Sequence, residues 1–145
     1  MWIYKGEEFT SEMIEDNVGF VYVITNLSDN KKYVGKKTLI SKRKLPPLKG
    51  KTRRRTKIVE SNWQDYFGSS EEVNALVEEH GRDNFKREIL HLCETKGVMS
   101  YLELKEQMER EVLLNDEYYN GILQVKIHRS HVQSLKKVDK QAQLV

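Results

Sequence analysis

The chain has one cysteine, Cys93, so no intramolecular disulfide can form and a zinc site built on several thiolates is excluded. It has two prolines, adjacent at Pro46 and Pro47, so long helices are barred only there. No apolar run approaches the roughly 18 residues of a membrane span. The opening residues, Met1 to Glu8, lack the long apolar segment of a secretory signal. These absences together lead us to expect a cytoplasmic protein with no membrane partner. Of the four histidines only His128 and His131 have a spacing that suits a shared metal, and with no third ligand in view they read better as surface residues. The most informative absence is that of acid: from Lys31 to Lys57 there is no Asp or Glu, while thirteen Lys or Arg residues fall in those 27 positions.

That leaves twelve of the 25 basic residues and all 22 acidic ones for the rest of the chain, so a net charge of only +3 hides a segregated distribution. A basic stretch of this length attracts polyanions, and nucleic acid is the partner it suits best. Lys37, Lys42, Lys51, Arg53, Arg54, Arg55 and Lys57 are its candidate phosphate contacts, with Trp63 just beyond as a candidate stacking platform for a base.

At 145 residues, 38% of them hydrophobic and 32% charged, the chain is long enough for one domain with a real core and too short for two of ordinary size. Phe20 to Ile24 reads as a strand, Asn26 to Asn30 as a turn, and Tyr33-Val34-Gly35 as the return of a β-hairpin. Trp2, Ile3, Tyr4 and Phe9 are expected to pack on it, with a short helix near Ser11 to Asp16. Residues 36–58 lack apolar periodicity and read as an irregular basic loop. Ser69 and Glu72 have capping-box spacing ahead of a helix that runs to His80, with Gly81 at its C′ position. A third strand follows over Phe85–Leu92. A second helix is expected over Val98–Leu113, with Val98, Leu102, Met108 and Val112 inward and Glu106 paired with Arg110. Ile122 to His128 reads as extended, ahead of a basic tail. This order predicts a small α+β domain: a three-stranded, mostly antiparallel sheet with flanking helices.

The hairpin carries a further pattern. Val21-Tyr22, followed eleven residues after Tyr22 by Tyr33-Val34-Gly35, resembles the paired motif of the GIY-YIG nucleases, with Phe20 in the place of the usual first Gly. Trp63, Tyr66-Phe67-Gly68-Ser69-Ser70 and Tyr118-Tyr119-Asn120 extend the likeness to the stand-alone, Seg-like phage homing endonucleases of that superfamily. The resemblance covers most of the chain. It implies an organisation into an N-terminal extension (1–19), a nuclease domain (20–123) and a basic tail (124–145), acting in the host cytoplasm if phage-encoded.

It also implies a metal-dependent DNA endonuclease. Tyr22 and Tyr33 would place and activate a water. Lys36 and Arg43, ten residues after Tyr33, would hold the phosphate, unless Arg53, Arg54 or Arg55 takes the place of Arg43. Glu103 would bind Mg²⁺ or Mn²⁺, and Asn120 would close the site. Periodicity alone does not select Glu103 over Glu106, Glu109 or Glu111; the resemblance does. With little chain after Gly121 to read sequence, weak specificity or a homodimer is expected. Phe20 and the prolines after Arg43 keep a second class open, a nucleic-acid-binding module of the same fold without cleavage. A third is a protein-interaction domain that uses its acidic helix face.

Overall fold

The organising strand, β3 (Gly19–Asn26), is buried along its whole length because β-branched and aromatic residues alternate to both sides of it. Phe20, Tyr22 and Ile24 point to one face and join Trp2, Phe9, Trp63, Phe67, Val73 and Ile89. Val21 and Val23 point to the other. A strand with two apolar faces needs cover on both, and two helices provide it. In the computed structural model, which describes residues 1–135, the element order is β1 (Trp2–Tyr4), β2 (Glu7–Glu8), β3, β4 (Lys32–Thr38), β5 (Ile40–Leu45), β6 (Arg55–Glu60), α1 (Glu71–His80), β7 (Phe85–Cys93) and α2 (Lys96–Glu109), with short 3₁₀ turns between.

The hairpin, the third strand and the α+β class are as the sequence predicts. The sheet is larger than expected, with five strands in the order β2-β1-β7-β3-β4. The extra pair comes from residues 2–8: β1 lies parallel to β7, with Trp2 opposite Arg87, and β2 folds back on β1. Strands of three and two residues are too short to show an alternating pattern, so their pairing could not be read from the sequence. Residues 36–58 also differ from expectation. Instead of an irregular loop they contain the end of β4 and an antiparallel ribbon in which β5 pairs with β6 through six residues, Ile40 opposite Glu60 to Leu45 opposite Arg55. The ribbon has no buried face, so nothing in its sequence had to alternate; backbone hydrogen bonds alone define it.

Ser70, not Ser69, caps α1, its hydroxyl accepting from the Val73 N–H at 3.3 Å. Thr95 caps α2 in the same way from Val98 (3.1 Å). Helix α2 ends four residues short of expectation, as Glu111 takes a left-handed φ of 51°. Its inward face also departs from expectation: Met99 and Gln107 are buried, while Met108 is 59% exposed. The Glu106–Arg110 pair forms, at 3.0 Å. Ile122 to His128 joins no strand and leads into a 3₁₀ turn, Arg129–Val132, that lies on the start of α2. There a Cβ on Gly97 would come within 2.6 Å of His131 Cβ. The last part of the expected basic tail, 136–145, lies outside the described residues. No helix among the described residues is long and apolar enough to cross a membrane.

Candidate functional site

The outer edge of the sheet is β4, and the site is built around it. Tyr33 and Gly35 turn toward the face that holds Tyr22, whereas Val34 and Lys36 turn toward α2. A pocket of about 270 Å³ straddles this edge. Tyr33, Gly35, Lys36, Ser69, Glu103, Gln107, Asn120, Ile122 and Gln124 line it. A shallower depression beside it shares Lys36 and adds Ser100 and Lys126.

Two glycines make the aromatic side of this pocket possible. A Cβ on Gly35 would stand 2.5 Å from the Tyr22 hydroxyl and 3.1 Å from the Tyr33 ring. Gly68, at φ +93°, brings its backbone up to both tyrosines from the other side. Tyr22 is therefore fully enclosed, with its ring centroid 6.3 Å from that of Tyr33 and 6.0 Å from that of Tyr66. Burial, then the neighbouring phenols, pushes the Tyr22 phenol well above its usual range. The Tyr33 hydroxyl reaches the pocket and shares a 3.0 Å hydrogen bond with Ser69 Oγ. Burial raises its pKa as well. Both phenols are protonated at neutral pH in the protein alone, so lowering either one into the range of a general base would need a nearby cation.

On the α2 side, Lys36 Nζ donates to Ser100 Oγ at 2.8 Å and stands 3.9 Å from Glu103 Oε1. Burial raises the Glu103 pKa, and Lys36 offsets part of that. The neighbouring carboxylates are placed differently. Glu106 accepts from Arg110 (3.0 Å) and meets His91 at 2.8 Å, which holds its pKa down, and Glu109 and Glu111 are exposed. Of the four glutamates that periodicity could not separate, Glu103 is the one that lines the pocket.

Asn120 is 8% exposed and spends its whole amide on one residue of β4. Its Oδ1 accepts from the Val34 N–H (3.0 Å) and its Nδ2 donates to the Val34 carbonyl (2.8 Å), to which Gln107 Nε2 also donates (3.2 Å). Just upstream, Lys32 N–H donates to the Glu117 carbonyl (2.8 Å) and Tyr119 N–H to the Lys32 carbonyl (2.7 Å). The segment 117–120 thus covers an otherwise open sheet edge, and Asn120 continues the ladder with its side chain.

A hard divalent cation fits this donor set. One carboxylate, two hydroxyls and three amides, beside the Lys36 ammonium, offer only oxygen and nitrogen, with no thiolate or imidazole, and Mg²⁺ takes few protein oxygens while keeping several waters. Glu103 would hold it, with Ser69 and Gln107 as further oxygen-bearing side chains of the same lining. No three His, Cys, Asp or Glu side chains converge anywhere among the described residues, so Glu103 is the single carboxylate that this pocket offers. His128 Nδ1 accepts from Ser130 N–H and His131 Nδ1 from His128 N–H, so both rings are used in the local turn.

Tyr33, Lys36, Glu103 and Asn120 are thus brought together, with Tyr22 directly behind them. The other sequence candidates lie elsewhere. Arg43 is on β5, exposed and opposite Lys57, and is not among the pocket residues. Lys42, Lys51, Arg53, Arg54, Arg55 and Lys57 are exposed along the same ribbon and its connection. Lys37 is half-buried, with its ammonium 4.4 Å from the Tyr66 ring centroid and 2.7 Å from Asn62 Oδ1. Trp63 corrects the sequence reading: at 2% exposed it cannot stack on a base. Its indole N–H donates to Glu60 (2.9 Å), its ring packs on Phe9, and its carbonyl accepts from Trp2 Nε1 (2.7 Å). Sequence reasoning assigned no site role to Ser69, Ser100, Gln107, Gln124 or Lys126; Ser69 alone carried a signal, as a candidate helix cap and as part of the Tyr66–Ser70 stretch of the family likeness.

No curated protein and no solved structure is significantly similar to this chain. Two tyrosines locked by two glycines at the edge of a small mixed sheet, facing a helix-borne glutamate, coincide with a match over residues 2–123 to the family described as "Putative endonuclease segE, GIY-YIG domain", and the chain belongs to that family.

Proposed function

We propose that this chain is a metal-dependent endonuclease that hydrolyses phosphodiester bonds in DNA, with Mg²⁺ or Mn²⁺ held at Glu103, and that its role is of the Seg-like homing kind. The observation that carries the reading is the convergence of Tyr33, Lys36 and Glu103 on one pocket at the β4 edge, in a member of an endonuclease family. The ion, when bound, would withdraw charge from a phosphate oxygen and acidify a coordinated water. Lys36 Nζ, already turned into the pocket, holds a second phosphate oxygen and supplies positive charge where negative charge develops. The Tyr33 hydroxyl, oriented by Ser69, positions the attacking water. Tyr22 is a positioning residue that fixes Gly35 and the Tyr33 ring from behind. Asn120 acts through β4, holding the register from which Tyr33 and Lys36 project. Among the described residues the cations that line the pocket and the depression beside it are lysines, Lys36 and Lys126, so the arginines of the basic stretch serve binding in this reading.

The test uses supercoiled plasmid with Mg²⁺ or Mn²⁺, with and without chelator. Wild-type protein should relax the plasmid only with the metal. Glu103→Gln should lower the rate by at least about 100-fold while duplex affinity measured in chelator stays within about threefold. Wild-type protein that binds duplex yet leaves it uncut with either metal would replace this reading by the cleavage-free binding module, which Phe20 in the family's Gly position favours.

A further inference from the structure

The β5–β6 ribbon stands outside the pocket and its chemistry is not explained by the fold. Arg43 and Lys57 are directly opposed across it, with Leu45 opposite Arg55 as the next pair on that same face; Lys42 and Lys44 project from the other face, opposite Ile58 and Thr56. Directly opposed like charges are unfavourable, and a two-stranded hairpin without a covering layer is marginal in water. The sequence nevertheless provides no carboxylate between Asp29 and Glu60, the latter at the ribbon's base, and among the described residues no ribbon cation is in an ion pair. Ile58 is left 60% exposed in the middle of β6. The base, in contrast, is firmly tied: buried Leu39 donates to the Val18 carbonyl (2.8 Å) and accepts from Ser61 N–H (2.9 Å). A self-repelling arm on a fixed base gains stability when a polyanion surrounds it.

We propose that this ribbon enters the major groove of duplex DNA on one side of the scissile phosphate, with its Arg43–Arg55–Lys57 face toward the base edges. The inference rests on the endonuclease reading for its substrate. A two-stranded ribbon fits the roughly 12 Å major groove of B-form DNA, whereas the deep, narrow major groove of A-form RNA excludes it. Arginine forks and lysine on one face suit guanine O6 and N7, the commonest base contact of such side chains. Lys51, Arg53 and Arg54, in the connection at the far end, reach the flanking phosphates. Arg43 follows Lys36 by seven positions and Leu45, opposite Arg55, by nine, spans of at most about 25 Å and 32 Å, so guanine contacts fall within about ten base pairs of the cut at roughly 3.4 Å per pair.

The test is made on duplex DNA in chelator, where binding is read without cleavage, using full-length protein with dimethyl sulfate protection of guanine N7 and affinity measured across salt concentrations. Wild-type protein should protect guanines on one side of the site that it cuts when Mg²⁺ is restored. Arg43→Ala with Arg55→Ala should abolish that protection, and Lys51→Ala with Arg53→Ala should leave it in place while flattening the slope of log affinity against log salt by about 0.9 per lost contact. Melting curves identify a misfolded variant, and Arg43→Gln with Arg55→Gln then replaces the alanine pair, retaining polar side chains while removing the cations that suit guanine and so losing protection. Unchanged N7 reactivity in a wild-type protein that cuts duplex, or equal affinity for double-stranded RNA, overturns the ribbon assignment and leaves the nuclease intact. Protection without any cleavage upholds the ribbon and removes the nuclease reading.

Discussion

Glu103 and Glu106 lie three residues apart on the same helix, yet their surroundings give them opposite electrostatic tasks. Glu106 is held down by Arg110 and His91, so it contributes to stability; replacing it with Gln should lower the melting temperature. Glu103 has its pKa raised by burial, so keeping it ionised in the folded state costs free energy. A carboxylate whose folded pKa exceeds its unfolded one favours folding fully only below the unfolded value, and that advantage is lost as pH rises through the folded one. Glu103→Gln should therefore raise the melting temperature at pH 7, a gain that shrinks toward pH 4 as the carboxyl becomes protonated in both folded and unfolded chains. Millimolar Mg²⁺ should raise the wild-type melting temperature and leave that of Glu103→Gln unchanged. A scan at pH 4 and 7 with and without Mg²⁺ checks both, and equal Mg²⁺ shifts in the two proteins would remove Glu103 as the ligand. The two glutamates look alike in sequence because the groups that distinguish them, Lys36 and His91, belong to other strands.

At the scale of elements, the β4 edge decides whether there is a site at all. The strand was legible from Tyr33-Val34-Gly35, but the cover on its open side comes from residues more than eighty positions away, and a short polar segment such as 117–120 has no pattern to announce that role. Asn120→Ala would leave the buried Val34 N–H without an acceptor, whereas the Val34 carbonyl keeps Gln107. We expect a loss of about 1–3 kcal/mol in denaturant unfolding and faster exchange of the Val34 amide proton. Cleavage should fall in parallel through loss of the register that presents Tyr33 and Lys36. If Asn120→Ala abolishes cleavage with stability and Val34 exchange unchanged, Asn120 touches the substrate and is not merely a positioning residue. The ribbon makes a complementary point: its strands escaped the sequence reading because hydrophobic periodicity reports burial, and a projecting arm buries nothing.

For the whole molecule, the endonuclease reading places one reacting pocket, at the β4 edge, among the described residues of each chain, so a single bound chain is expected to cut one strand. Plasmid relaxation should proceed through an accumulating nicked circle, with linear product appearing later. A homodimer would place a second pocket on the opposite strand and give linear product directly, at a rate that rises steeply with protein concentration. The time course of the two products across a concentration series separates these outcomes, and linear product formed without a nicked intermediate at the lowest concentration excludes action by single chains.

The sequence by itself determined the class, the hairpin with its two tyrosines, the helix carrying Glu103 and the segregation of positive charge. Those properties are local: they depend on alternation, caps, turns and composition within a few residues. The tertiary structure alone decided which glutamate faces Lys36, that Tyr22 sits behind Gly35 while Tyr33 opens to the pocket, that Asn120 closes the β4 edge, that Trp63 belongs to the core and that the basic stretch stands up as a ribbon away from the pocket. Each of those depends on contacts between segments far apart in the chain, where burial and pairing are set by the partner and not by the residue's own neighbours.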